Sequence, residues 1–450
     1  MNNASDFKKA HRLVEVDNAL RFDVPLEPDH EFYTDFSDVR GDFEDRLLYK
    51  QLNVHPKNYV FNREANQGNK VILFLAGMRG SGKTSELARI AKNLHHPQGF
   101  FCVTCNLDVG LDMNDLEYMD VLIYQIERLI EELEKHKIIF DEDIVEILYG
   151  WFAQRVEEVN RAIKAETGFE IAVEAKTPNI LGLLGITSKL KANLSGSKEN
   201  AEKIRLSLKN NFTDFAFKFN EFIETVNLTL RQHNKAQEVM FIIDGLEKTA
   251  TSDIRRKIVL EETNRIRAIR VHTIFTLPIE LMSRQRLLEA FSTVTSFPFV
   301  KIREKNGDLV EEAIHRFETF VYKRIDRSLF DSPDTVRQAI LYGGGSPREL
   351  LRVLEYTNMF ADEDSNRITR ADLDKGIKKL AAQTSQYLSK DDLDKLKELD
   401  AANKAQIPVA YDESWQDLLE KLIILEYNDG TYKRVNPVIE ESALYKHYVG

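Results

Sequence analysis

Short continuous apolar runs alternate along this chain with longer stretches in which apolar residues recur every three or four positions. The runs are 71–75 (VILFL), 99–107, 239–244 (VMFIID), 271–276 (VHTIFT) and 293–302, all of strand length. Helical spacing separates them: from Lys83 onward, over 116–137 and 141–165, and over 200–233. Within 116–137, Leu122, Ile123, Ile126, Leu129, Ile130 and Leu133 form one stripe. Strands alternating with helices predict an α/β fold built on a parallel sheet covered on both faces. From residue 311 the spacing is helical, interrupted by Gly343-Gly344-Gly345-Ser346-Pro347-Arg348, where Pro347 suits the first turn of a restarted helix.

Two regions break this alternation. Between 168 and 197, Phe169, Ile171 and Val173 alternate with polar or small residues, Pro178-Asn179 signals a turn, and Ile186, Leu190 and Leu194 sit on a second alternating piece. This predicts an inserted β-hairpin with an apolar tip over 180–186. Such a tip is either buried on the protein's own helices or a surface for a partner, a second copy of the chain above all. Toward the end, helices over 390–401 and 414–422 precede a strand at 423–427, the turn Asn428-Asp429-Gly430 and a return strand, the order of a winged helix. The expected divisions are a lead-in over 1–70, an α/β core over 71–305, a helical lid over 306–385 and a winged-helix-like domain over 386–450.

Composition narrows the function. With 450 residues there is room for two or three domains, and 43% hydrophobic and 30% charged residues are ordinary for a globular protein. No apolar run reaches the ~18 residues of a membrane span, and the polar start MNNASDFKKAHR is unlike a secretory signal, so a cytoplasmic protein is expected. Cys102 and Cys105 lie three apart on a strand and face opposite sides, which favours burial over metal or redox chemistry. A net charge of -11 argues against a general grip on nucleic acid. The block from residue 389 holds 8 Lys and Arg against 13 Asp and Glu, and its candidate recognition helix, 415–421, is apolar and acidic. Packing on protein is therefore favoured there over reading DNA.

The sharpest chemistry follows the first strand. Gly77-Met78-Arg79-Gly80-Ser81-Gly82-Lys83-Thr84 fits G-x-x-x-x-G-K-[ST], with Ser85 next in the helix it opens. The glycines let backbone N–H groups turn toward phosphate oxygens, the helix start adds its dipole, Lys83 reaches the β- and γ-phosphates, and Thr84 ligates Mg²⁺. The run 239–244 ends in Asp244, placed to hold Mg²⁺ through its water shell, and Glu247 is positioned to polarise an attacking water. Thr276 ends the next strand, beside the expected γ-phosphate. Arg284 and Arg286 follow on a short helix. In the segment before the phosphate loop, Phe36 and Arg40 are candidates to cover a base, with a structural role the more common outcome.

With these residues in place, the chain resembles the AAA+ and STAND branches of the additional-strand (ASCE) P-loop ATPases. GMRGSGKT looks like their phosphate loop, FIIDGLE like the STAND form of the acidic strand, and GGGSPRELLR like the arginine-bearing lid sensor of initiator and origin-recognition proteins. It also resembles a group of largely uncharacterised bacterial ATP-binding proteins. Lys248 stands where many STAND proteins have another acid, and no Arg follows Thr276 as it does in several subfamilies. The resemblance implies ATP and Mg²⁺ as cofactors, Arg348 as a γ-phosphate sensor, and Arg284 or Arg286 as a finger acting on a neighbouring subunit. It implies that the 168–197 insert faces a central pore or a partner. It further implies an ATP-driven switch or assembly ATPase, with bacterial stress or anti-phage defence as a setting. The alternative is an ATP-dependent DNA loader or transposition regulator acting through the winged helix; a third reading is a nucleotide-binding scaffold that barely hydrolyses.

Overall fold

The computed structural model describes the chain except for residues 1–6, 23–24, 41–44, 66–67, 139–141, 168–178, 283–284, 292, 408, 410–412, 428–431 and 450. Five parallel strands form the central sheet: β1 (Ile72–Gly77), β2 (Phe100–Asn106), β3 (Glu238–Asp244), β4 (His272–Pro278) and β5 (Val294–Ser296). Their order is β2-β3-β4-β1-β5. The strand that ends in Asp244 is thus separated from the phosphate-loop strand by β4. The register pairs Leu75 with Thr276 and Asn106 with Asp244, which brings the carboxyl ends of the strands to one edge.

Alternation along the strands divides the core. Leu73 and Leu75 pack on one face with Cys102, Ile242 and Ile274 against the helix that follows the phosphate loop, α1 (Lys83–Leu94). Phe74 and Ala76 face the other way with Cys105, Phe241 and Phe275. That second face carries α2 (Tyr118–Lys135), α3 (Glu142–Thr167), α4 (Ile180–Leu194), α5 (Lys198–Asn210) and α6 (Phe212–Gln232). The two cysteines are buried free thiols on opposite faces, and burial pushes both thiols up.

The helical insert corrects the expected hairpin. Residues 168–178, its first arm, lie outside the described residues, but 180–194 is a helix whose N-cap, Asn179, accepts the Gly182 N–H at 2.8 Å. Leu183, Ile186, Leu190 and Leu194 are buried at helical spacing, so the pattern that mimicked strand alternation over 186–194 belongs to one stripe of a helix. The apolar run does not form an exposed tip: Leu183 is fully buried, and α4 is tied to α2 by Ser188 Oγ donating to Glu127 at 2.7 Å and by the Lys191–Glu127 ion pair. The long helix expected over 200–233 is two, broken at Asn211. The strand expected over 293–302 shortens to β5, and 297–300 runs on without regular pairing.

Four helices make the lid: α7 (Glu311–Arg324), α8 (Pro333–Tyr342), α9 (Pro347–Asn358) and α10 (Arg370–Ser385). Ser332, Ser346 and Thr369 cap three of them. The N-terminal segment shares their core: Phe7, Leu13, Val16, Phe32 and Phe36 pack with Phe317, Phe320 and Val321, and Ala10 bridges to Ile325. The final block comprises α11 (Lys390–Ala405), a short helix Gln416–Glu420 and the antiparallel pair β6 (Ile424–Tyr427) and β7 (Tyr432–Val435). The Asn428-Asp429-Gly430 turn lies outside the described residues. Among the described residues no helix is long and apolar enough to cross a membrane.

At the sheet edge away from the phosphate loop, His272 is wholly buried between Phe61 and Phe100. Its Nδ1 accepts the Val71 N–H at 3.2 Å, which leaves Nε2 to donate to Glu238 at 3.0 Å. Burial pushes the imidazole down, so it stays neutral. Burial also raises the Glu238 carboxyl, but His272 and Lys70 outweigh it and bring it to about 2. Below an unfolded-state histidine pKa of about 6.5 the unfolded chain takes up a proton that folded His272 refuses, so this site loses stability at up to about 1.4 kcal/mol per pH unit. His272→Gln is expected to be less stable at pH 7.5 and to lose less between pH 7.5 and 5.5 than the wild type, as read from urea midpoints.

Candidate functional site

The phosphate loop is shaped by two left-handed glycines. Gly80 has φ of +83° and Gly82 of +93°, and Gly82 occupies the N-cap position of α1. Gly77 meets a different constraint: a Cβ there would lie 2.7 Å from the Phe297 carbonyl. The loop is also stapled from outside. The buried Arg40 guanidinium donates to the carbonyls of Ser81 and Pro298, both at 2.8 Å, and lies 3.9 Å from the Phe297 ring centroid. Burial lowers Arg40 to about 10. Arg40 therefore holds the loop, and it also lines the cavity beside it.

Lys83 is buried, and its Nζ donates to Gly77 O at 2.9 Å and Met78 O at 3.0 Å, with Glu247 Oε1 at 3.8 Å. Thr84 Oγ1 donates to Asp244 Oδ2 at 2.6 Å. The other oxygen, Asp244 Oδ1, is buried and has no hydrogen-bond partner among the described residues. Burial and then the neighbouring Glu247 charge push the Asp244 carboxyl up. An orphaned carboxylate oxygen beside a threonine hydroxyl fits a divalent cation, which restores the charged form and occupies the vacant lone pairs. Thr84 and Asp244 are thus the residues that would hold Mg²⁺.

Glu247 is aimed by its neighbours. Thr276 Oγ1 donates to Glu247 Oε2 at 3.1 Å and itself accepts the Gly245 N–H at 3.0 Å. The strand order makes this contact possible, since Thr276 lies near the carboxyl end of β4, next to β3, with the strand running two residues past the end expected at Thr276. Lys248 turns away to Asp108 at 2.8 Å, an ion pair on the rim of the same cavity. From the lid, Ser346 Oγ donates to Gly80 O at 3.2 Å, and a Cβ on Gly80 would meet Arg348 Cβ at 2.9 Å. The Arg348 guanidinium lies 4.7 Å from the Phe22 ring centroid, and burial followed by the nearby Arg79 charge pushes it down.

These elements enclose a cavity of about 430 Å³. Arg79, Gly80, Gly82, Lys83, Thr84, Ser85, Glu247 and Arg348 line it, together with Phe32, Thr34, Phe36, Phe320 and Arg324. Ser81 is buried beneath the loop, and Ser85 Oγ accepts the Leu26 N–H at 3.3 Å. Met78 points out of the site, its sulfur accepting the Glu426 N–H of the C-terminal hairpin at 3.2 Å. Arg286 is exposed on the short helix Gln285–Ala290 and does not line the cavity, and Arg284 lies outside the described residues. The candidate recognition helix of the last block faces protein: Trp415, Leu418 and Leu419 are buried, and Glu420 receives Arg255 at 2.6 Å.

Sequence reasoning missed three contributors. Ser346 was visible as an N-cap before Pro347, though not its reach to Gly80. Arg324 occupies an inward position of the stripe Ile314, Phe317, Phe320, Val321, and a charge on an apolar stripe is the signal that finds it. Thr34 has no sequence signature.

A phosphate loop after β1, carboxylates after β3 and an intervening strand β4 define the fold of a P-loop nucleotide-binding core with an additional strand between the loop strand and the acidic strand. No protein-family model matches the chain, and no curated protein matches it. Among solved structures, it is similar to a Walker-type ATPase of Pyrococcus abyssi at 12% identity and a TM-score of 0.40, covering 94% of this chain and 98% of that one. It is also similar to the ORC1 protein of Aeropyrum pernix, solved in complex with DNA, at 13% identity and a TM-score of 0.34, covering 96% and 97%. The core assignment rests on strand order and loop geometry, not on these two likenesses.

Proposed function

We propose that the chain binds ATP with Mg²⁺ between the sheet and the lid, hydrolyses it, and uses the lid as a nucleotide-dependent switch. The observation that carries this is the connected set Lys83, Thr84, Asp244, Glu247 and Thr276 at one sheet edge, with Arg348 of the lid lining the same cavity. The glycine-shaped loop and Lys83 bind the phosphates. Mg²⁺ held by Thr84 and Asp244 would offset charge on the phosphates. Glu247, oriented by Thr276, accepts the proton of the attacking water. Arg348 approaches the phosphates from the lid, within its own subunit.

The switch reading draws on how many parts touch the loop. Ser346 and Arg348 contact Gly80, Met78 contacts Glu426, and Tyr427 donates to Gly344 O at 2.5 Å. Filling the loop with phosphates therefore acts on the lid and the C-terminal hairpin together. The packing of the Gln416–Glu420 helix on protein supports this reading over DNA loading. Glu247→Gln should keep ATP affinity and slow turnover by 100-fold or more, on the order of the loss of a general base. Turnover at the wild-type rate would reduce Glu247 to a structural partner of Thr276. Small-angle scattering with ADP and with a slowly hydrolysed analogue tests the switch, and identical profiles would sink it.

A further inference from the structure

The end of the cavity where the N-terminal segment meets α7 holds an unusual group. Arg324 is only 3% exposed and lines the cavity. Its Nη1 donates to Phe32 O at 3.1 Å and Phe320 O at 2.9 Å, and the guanidinium carbon lies 3.7 Å from the Phe320 ring centroid and 5.2 Å from that of Phe32. No carboxylate pairs with it among the described residues, and its Nε is buried there without a partner. Burial alone lowers it to about 9, so it remains a cation at neutral pH. Two residues past Phe32, the Thr34 hydroxyl is also buried and without a partner among the described residues. A guanidinium kept from water without an anion is costly, and a fold retains one where something else supplies the acceptor. The aromatic wall of Phe32, Phe36 and Phe320 around it suits a flat apolar ring with polar edges.

We propose that this end of the cavity reads a purine base through donors, with the Arg324 guanidinium hydrogen-bonding a ring nitrogen on the base edge and the Thr34 hydroxyl completing the contact. This rests on the nucleotide-site reading above and adds which residues select the base. Arg324 is here a binding residue and takes no part in phosphate chemistry.

The test is calorimetric binding of ADP and of its 1-deaza, 3-deaza and 7-deaza analogues, each lacking one ring-nitrogen acceptor, to the full chain. At least one analogue should bind wild type about tenfold or more weakly than ADP, the scale of one charge-assisted hydrogen bond. Arg324→Met should bind ADP more weakly and lose the discrimination against that analogue, whereas Thr34→Val should retain part of it. Should Arg324→Met fail to fold, the wild-type series decides alone. Equal binding of all four nucleotides by wild type, or discrimination that persists in a folded Arg324→Met, overturns the proposal while leaving the nucleotide site standing. Binding of none of them by wild type overturns the site reading, and the proposal with it.

Discussion

Lys83→Ala is expected to weaken ATP and ADP binding by at least 10- to 100-fold, as the loss of a charge-assisted contact of about 1.5–3 kcal/mol implies. The structure gives the reason. Lys83 is the one ammonium held inside the curl of the loop among the described residues, tethered to the carbonyls of Gly77 and Met78 at its base. Among the described residues no other lysine reaches that position, because Lys248, the other lysine lining the cavity, is committed to Asp108. The substitution also removes the cation 3.8 Å from Glu247, so the two carboxylates of the site face each other less compensated. Titration by calorimetry, with thermal unfolding as a control for the fold, measures the effect. Unchanged ADP affinity in a folded variant would remove the phosphates from this loop.

The second large effect concerns stability. Leu183→Asp is expected to cost several kcal/mol, because the residue is fully buried in the apolar cluster that packs α4 onto its neighbours, where a charge is cut off from water. Leu181, two residues earlier on the same helix, is 57% exposed. Leu181→Asp should shift the unfolding midpoint by no more than the ~0.5 kcal/mol of an ordinary surface change. Equal midpoints for the two variants would show that the 180–186 run is not core. The contrast separates burial from any general intolerance of charge in this helix.

The parts legible in the sequence are those specified locally. A strand, a glycine pattern and a helix start lie within one stretch, so the phosphate loop could be read whole. Asp244 and Glu247 were legible because a buried strand ending in an acid leaves few other uses for that acid. The 180–194 helix was misread because two glycines and a chance alternation of small residues from Ile186 to Leu194 imitate a strand, while the helical stripe shows only when Leu183 and Ile186 are counted with Leu190 and Leu194. Tertiary burial, not propensity, decided that segment. Arg40 and Arg324 show the other limit. The apolar stripe marks Arg324 as inward-facing, but each is also held by a carbonyl hundreds of residues away, Pro298 for Arg40 and Phe32 for Arg324, and no local pattern names those partners.

The shared core of the N-terminal segment and the lid sets a timetable for synthesis. Phe7, Leu13, Val16, Phe32 and Phe36 are made before the sheet, yet their partners Phe317, Phe320 and Val321 follow Phe36 by about 280 residues. At roughly 5–20 residues per second, that delay is on the order of 15–60 s. Throughout it the sheet can assemble while these apolar side chains lack the lid that covers them. A segment made before the sheet is thus among the last to find its place. A chain that stops before residue 311 has a phosphate loop but lacks Phe320, Arg324 and Arg348, so its cavity is open on the side the lid closes.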